Sequence, residues 1–122
     1  MILPDTSIWI DHLRSGNKDL RVLLDQRQVV AHPFVIAELA LGSLRDRTNT
    51  LSLLDLLPQA RMADIGEARL LIESRRLYAL GLGLVDIHLI ASVLLTPATL
   101  LWTRDKPLRK VAEGIGRHAA LP

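Results

Sequence analysis

Four carboxylates stand where a lone charge is expensive. Asp5 follows Met1-Ile2-Leu3-Pro4, Glu38 lies within Phe34-Val35-Ile36-Ala37-Glu38-Leu39, Asp86 within Leu84-Val85-Asp86-Ile87, and Asp105 closes Leu101-Trp102-Thr103-Arg104-Asp105. Each interrupts or ends an apolar stretch, where desolvating an unpaired charge costs heavily. The pattern predicts one acidic pocket that the fold assembles from distant segments. Two carboxylates about 5 Å apart repel by roughly 3 kcal/mol at an effective dielectric near 20. Four together therefore require a cation, or protonation of some of their number. A donor set of oxygens without His or Cys selects Mg2+ or Mn2+ rather than zinc. Such an ion, held by one or two carboxylates, keeps several waters and leaves room for a phosphate oxygen. That chemistry is metal-assisted phosphodiester hydrolysis, with one metal or two.

Taken singly, the acids have plainer readings. Asp5 and Asp105 both precede helices and suit N-caps, although Thr6 or Ser7 is also able to cap the helix after Asp5. Glu38 fits a solvated helix position. Asp86 falls in the first turn of an apolar helix, where the macrodipole favours an acid but polar neighbours are few. Only their joint order and settings point to a site.

The elements that must position them are legible from periodicity. Ile2-Leu3 reads as a strand and Ser7 to Arg14 as a helix stopped by Ser15-Gly16-Asn17. A short helix spans about Lys18 to Asp25, with Leu20, Leu23 and Leu24 at helical spacing. Gln28 to Ala31 reads as a second strand, and Pro33 opens a helix that holds Glu38 and ends at Gly42. Thr48 to Leu57 is expected to be helical. Ile65 to Leu80 is expected to be the longest helix, with Gly81 at its C-terminal end. Leu84 to Leu95 is nearly all apolar and should be central. Leu100 to Thr103 is a third strand, Lys106 or Pro107 to Glu113 a last helix, and Arg117 to Leu121 a candidate edge strand. Helices alternating with short apolar strands predict a three-layer α/β/α fold with a short, mainly parallel central sheet. Sites in such folds lie beyond the carboxyl ends of the strands, where Asp5 and Asp105 both fall.

Composition sets the bounds. At 122 residues the chain reads as one domain, residues 1–122, able to bury roughly two-thirds of its unfolded surface. Hydrophobic residues make up 49%, which excludes disorder. Cysteine is absent, excluding disulfides and thiolate chemistry and suiting a reducing cytoplasm. There is no basic leader for a signal peptide, and Asp5 comes too early for one. The apolar stretch from Leu80 to Trp102 carries Gly81, Gly83, Asp86, His88 and Pro97, so a buried helix and strand explain it better than a membrane span. The 15 Lys and Arg face 13 acids; with the four pocket acids set aside, nine remain, and the rest of the surface is basic. That balance fits a polyanionic partner. The only aromatics are Trp9, Phe34, Tyr78 and Trp102, too few for a base-stacking platform.

The Asp-Thr-Ser start, the helical Ala-Glu-Leu, the segment Val-Asp-Ile-His-Leu-Ile-Ala-Ser and the closing Leu-Trp-Thr-Arg-Asp-Lys-Pro-Leu resemble the four acidic motifs of PIN-domain ribonucleases. The resemblance runs from Ile2 to about Ala112. The small size and short loops are most similar to the VapC toxins of bacterial toxin–antitoxin pairs. It implies that Asp5, Glu38, Asp86 and Asp105 are metal-binding acids, with Asp5 and Asp86 the surest. Thr6, Ser7 and Thr103 become polar neighbours that hold those acids or a water. It implies an Mg2+-dependent (or Mn2+-dependent) endoribonuclease that acts on RNA, forms a homodimer and is silenced by a cognate VapB-like antitoxin. The antitoxin's C-terminal segment typically lies along a groove beside the acids and places an Arg or Lys among them. Along the third-motif helix Ala91 and Ser92 match the small residues of the family, whereas Leu89 and Val93 are bulkier.

Other residues have plainer roles beside their functional ones. Arg104, Lys106, Arg109 and Lys110 flank Asp105 and are candidate RNA-phosphate contacts, or a solvated helix face. Arg14, Lys18 and Arg21 form a second basic patch. His88 points away from Asp86 on a helix and reads as packing; His32 ends a strand and borders either core or pocket. Gly81-Leu82-Gly83 lacks the third glycine of a dinucleotide fingerprint. A receiver-like phosphoacceptor domain shares acids, Mg2+ and a late Lys-Pro (Lys106-Pro107), but needs adjacent acids after the first strand and a phosphoacceptor Asp ending a central strand. A catalytically silent PIN interaction domain would have little reason to keep all four acids.

Overall fold

The computed structural model describes all residues from 1 to 122. Two short strands, β1 (Ile2–Pro4) and β2 (Leu100–Trp102), pair in parallel with Leu3 opposite Leu101 and Pro4 opposite Trp102. Single parallel bridges widen this ribbon. Val29 joins Ile2 on one side, Gln59 joins Ala31 beyond it, and His118 joins Leu101 on the far side. Counted in chain order, the five extended segments lie in the order 3-2-1-4-5. The chain first winds outward from β1 in one direction and later in the other. Ligands in such sheets collect at that reversal, outside the carboxyl ends of the strands, and here it falls between β1 and β2.

Seven helices surround the ribbon: α1 (Thr6–Ser15), α2 (Lys18–Asp25), α3 (Pro33–Leu41), α4 (Arg47–Leu56), α5 (Ile65–Ser74), α6 (Leu84–Leu95) and α7 (Lys106–Gly114). α1 packs on α3 and α3 on α4, while α6 packs on α5, β2 and α7. One contiguous apolar core draws on every helix, from Leu3 and Ile8 through Leu20, Val35, Leu54 and Ala68 to Ile90, Trp102 and Leu108. No helix is long and apolar enough to cross a membrane. Leu80 to Trp102 is instead a loop, the buried helix α6, a turn and β2.

Three expectations need correcting. Gln28 to Ala31 is not a regular strand, and the Arg117–Leu121 tail adds only one bridge. Each alternates single backbone contacts with neighbours too short to extend a ladder. The third extended segment, at Gln59, carries no alternation to betray it. The helix from Ile65 does not reach Leu80. It ends at Ser74, where Arg76 adopts a left-handed φ of 54° and the N–H groups of Arg76 and Leu77 return to Glu73 and Ile72. That is a Schellman closure built on arginine, so glycine-based reading overshoots it. α6, with 12 residues, is the longest helix.

Candidate functional site

The parallel register determines what meets Asp5. Extending it one residue past Pro4 and Trp102 sets Asp5 beside Thr103, and the Asp5 N–H donates to the Trp102 carbonyl at 2.8 Å. The Thr103 hydroxyl, in a side chain that is almost wholly buried, donates to Asp5 Oδ2 at 2.8 Å and accepts the Asp105 N–H at 3.1 Å. One hydroxyl therefore ties the acid after β1 to the loop after β2. Asp5 Oδ1 accepts the Thr6 N–H at 2.7 Å and caps α1. Neither Thr6 nor Ser7 takes that capping role. Thr6 Oγ1 instead donates to Glu38 Oε1 at 2.6 Å, linking α1 to α3, while Ser7 is exposed and its hydroxyl makes no hydrogen bond to an acid.

Asp86 is the third residue of α6. Its Oδ2 turns back to accept the Gly83 N–H at 2.9 Å, half of a capping box whose other half is missing because Gly83 has no side chain. Asp105 caps α7, its Oδ2 accepting the Leu108 N–H at 3.1 Å. Because α6 runs back toward the start of β2, its N-terminal turn lies at the carboxyl edge of the ribbon with Asp5 and Asp105. α3 begins just past the bridge at Ala31, so Glu38 enters from the same edge.

The acids feel one another. Burial pushes the Asp5 carboxyl above its ordinary value; the bonds from Thr103 and Thr6 oppose the rise, and the Asp86 and Glu38 carboxylates add to it. Burial likewise raises Asp86, opposed by the Gly83 N–H and reinforced by Asp105 and Glu38. Like charges and desolvation thus act together on two separate elements. No three His, Asp or Glu side chains form a ready coordination sphere as they stand. The reason is local: each carboxylate is turned onto a backbone or hydroxyl donor. The donor chemistry itself fits a hard divalent cation, since every converging group is a carboxylate or hydroxyl oxygen.

The basic residues divide. The Arg104 guanidinium is occupied, pairing with Asp11 at 3.3 Å and donating from Nε to the Pro122 carbonyl at 2.7 Å. Arg109 pairs with Glu113 at 3.1 Å. Lys106 and Lys110 carry no ion pair and line a hollow of about 400 Å³ with Leu80, Pro107 and Val111. A larger groove of about 790 Å³ opens beside Glu38, walled by Ile10, Leu13 and Leu44 and flanked by Arg14 and Arg45. Arg45 went unnoticed in the sequence because it sits in an irregular turn with no motif around it. Lys18 and Arg21 lie outside this groove. His88 is buried in the core, in keeping with packing rather than ligation, and His32 is wholly buried at the start of α3.

Residues 2–114 match the family model for the PIN domain. The chain is also 47% identical over 109 residues to Ribonuclease VapC32 from two strains of Mycobacterium tuberculosis, an alignment covering 89% of this chain and 88% of that protein.

Proposed function

The chain belongs to the PIN-domain family, among its VapC-type members, and on that premise we propose that it is an Mg2+-dependent endoribonuclease. It would be the toxin of a type II toxin–antitoxin pair, acting on RNA in the cytoplasm. The observation that carries this reading is the knot of hydroxyls and carboxylates at the sheet's reversal, where Thr103 and Thr6 hold Asp5, Glu38 and the Asp105 backbone together. The ribonuclease named among its relatives supplies the substrate class.

Asp5, Glu38, Asp86 and Asp105 would hold the ion, Mg2+ or Mn2+. When bound, such an ion polarises a phosphate oxygen and acidifies a water. The residues do the rest. Thr103 fixes Asp5 Oδ2, which still has a lone pair to offer. Thr6 orients Glu38 in the same way. Burial and like-charged neighbours raise Asp5 and Asp86 without metal, a strain that a bound cation would relieve. Lys106 and Lys110 are free to meet RNA phosphates near Asp105, whereas Arg104 and Arg109 would first have to leave Asp11 and Glu113.

A cognate VapB-like antitoxin would lie in the groove beside Glu38. Its apolar walls suit a protein segment, and a cation delivered to the acids would relieve the same repulsion that the metal relieves. Exposed Leu53, Leu56, Leu70 and Leu84 favour burial against a second copy, a homodimer.

The test is cleavage of a mixed RNA substrate with Mg2+, with chelator, and by Asp86→Asn. The expected outcome is cleavage by the wild type only with metal, lowered more than about 100-fold in the variant. Cleavage that persists in chelator or in the variant would refute the assignment.

A further inference from the structure

His32 caps α3 in an unusual way. The first residue of that helix, Pro33, has no N–H, so the first donor within reach is Phe34, whose N–H donates to His32 Nδ1 at 2.9 Å. Ser, Thr, Asn or Asp does this more commonly. The imidazole adds a ring to the cap. It meets Phe34 edge-on with centroids 5.4 Å apart, and Phe34 meets the His88 ring edge-on at 4.7 Å. His32 and His88 are both buried, and His32 Nε2 and His88 Nδ1 have no partner. Polar nitrogens left unpaired inside a core are costly, so apolar rings of the same shape would be preferred if packing were their whole purpose.

The stack joins elements that otherwise face elsewhere. α3 packs mainly on α1 and α4, and α6 on α5, β2 and α7. His32–Phe34–His88 spans from the first turn of α3 to the second turn of α6, yet neither imidazole bonds to an acid. Glu38 lies six residues beyond His32, about 9 Å along the helix, and Asp86 lies two residues before His88. A tilt of α3 about this stack would carry Glu38 toward or away from Asp86.

We propose that His32 is a positioning residue, whose cap and ring stack set the separation of Glu38 on α3 from Asp86 on α6. This rests on the proposed function for what the two acids hold. Burial and the facing His88 lower the His32 pKa to about 4, in keeping with the neutral imidazole that the Phe34 bond requires.

The test uses His32→Asn, which keeps an acceptor for Phe34 but removes the ring, and Phe34→Leu, which keeps the cap and breaks the stack. In metal-free protein the amide resonances of Glu38 and Thr6 should shift in both variants, since the Thr6–Glu38 bond reports where α3 lies. With Mn2+ as probe, paramagnetic broadening should centre on Asp5, Glu38 and Asp86 in the wild type. In the variants it should fade at Glu38 and persist at Asp5 and Asp86, with Mn2+ affinity about tenfold weaker. Unmoved Glu38 and Thr6 resonances in a folded variant, with unchanged Mn2+ affinity, would overturn the proposal. A wild type with no localised broadening would instead refute the metal site, and the metal-free shifts would still decide the role of His32.

Discussion

The four acids differ in what an asparagine would replace. Asp86 spends one oxygen on the Gly83 N–H, and an asparagine carbonyl accepts that bond equally well. Asp5 uses both oxygens, one toward Thr6 N–H and one toward the Thr103 hydroxyl, so an amide there would force the Thr103 hydroxyl to turn from donating to accepting. Asp86 is therefore the clean probe of charge. Thr103 is the clean probe of orientation. Thr103→Val keeps the shape, loses the bonds to Asp5 and to the Asp105 N–H, and should lower metal affinity and cleavage by about 10–100-fold. Denaturant melts should place its stability cost at about 1–3 kcal/mol. The pH dependences have opposite signs. Asp5 and Asp86 are raised, so their contribution favours the fold below about pH 3.8 and is lost as pH rises through their folded values. His32 is lowered from an ordinary value near 6.5 to about 4, so its contribution is whole above pH 6.5 and drains away as pH falls toward 4. Relative to His32→Asn, the wild type should lose about 3 kcal/mol over that window. Parallel stability curves would refute this account of His32. At this scale the apolar settings of the four acids are what single them out in the sequence. The sequence did not assign each threonine to its acid, because a Thr103–Asp5 bond spans 98 residues and depends on sheet register.

Helix termini explain both the success and the failure of reading elements from periodicity. Starts were legible because the polar caps Asp5, Asn17, Asp64 and Asp105 precede apolar runs, and Asp64 with Glu67 completes a capping box. Stops were less so. α2 and α5 both end on a left-handed arginine, Arg27 at 55° and Arg76 at 54°, where glycine is the usual signal. α1 and α7 do close on positive-φ glycines, Gly16 at 77° and Gly116 at 69°. The overshoot from Ser74 to Leu80 follows directly. A left-handed non-glycine residue costs roughly 1–2 kcal/mol, so Arg76→Gly should stabilise the protein by about 1 kcal/mol, part of the gain being returned as unfolded-chain entropy. Thermal unfolding should show a rise of a few degrees. A fall would mean that the Arg76 side chain makes a contact worth more than the strain.

Across the whole molecule, alternating helices and short apolar segments were sufficient to predict a parallel α/β arrangement and to put Asp5 and Asp105 at its carboxyl edge. They were insufficient to give the sheet its width, since three of its contacts are single bridges with no period to detect. The fold gathers charge that it must then tolerate, holding Asp5 and Asp86 half-buried among like neighbours. On the proposed function, such a site would be less stable without metal and would regain stability on binding a cation. The most direct measurement is thermal unfolding of wild type and Asp86→Asn with and without millimolar Mg2+ at neutral pH. At about tenfold excess over the dissociation constant, mass action adds roughly 1.4 kcal/mol, or about 5 °C for a chain of this size. The account predicts that rise in the wild type, and a metal-free variant that melts at least as high but gains little from Mg2+. A wild type indifferent to Mg2+, or a variant that unfolds without it, would contradict the reading of these acids as one metal-binding site.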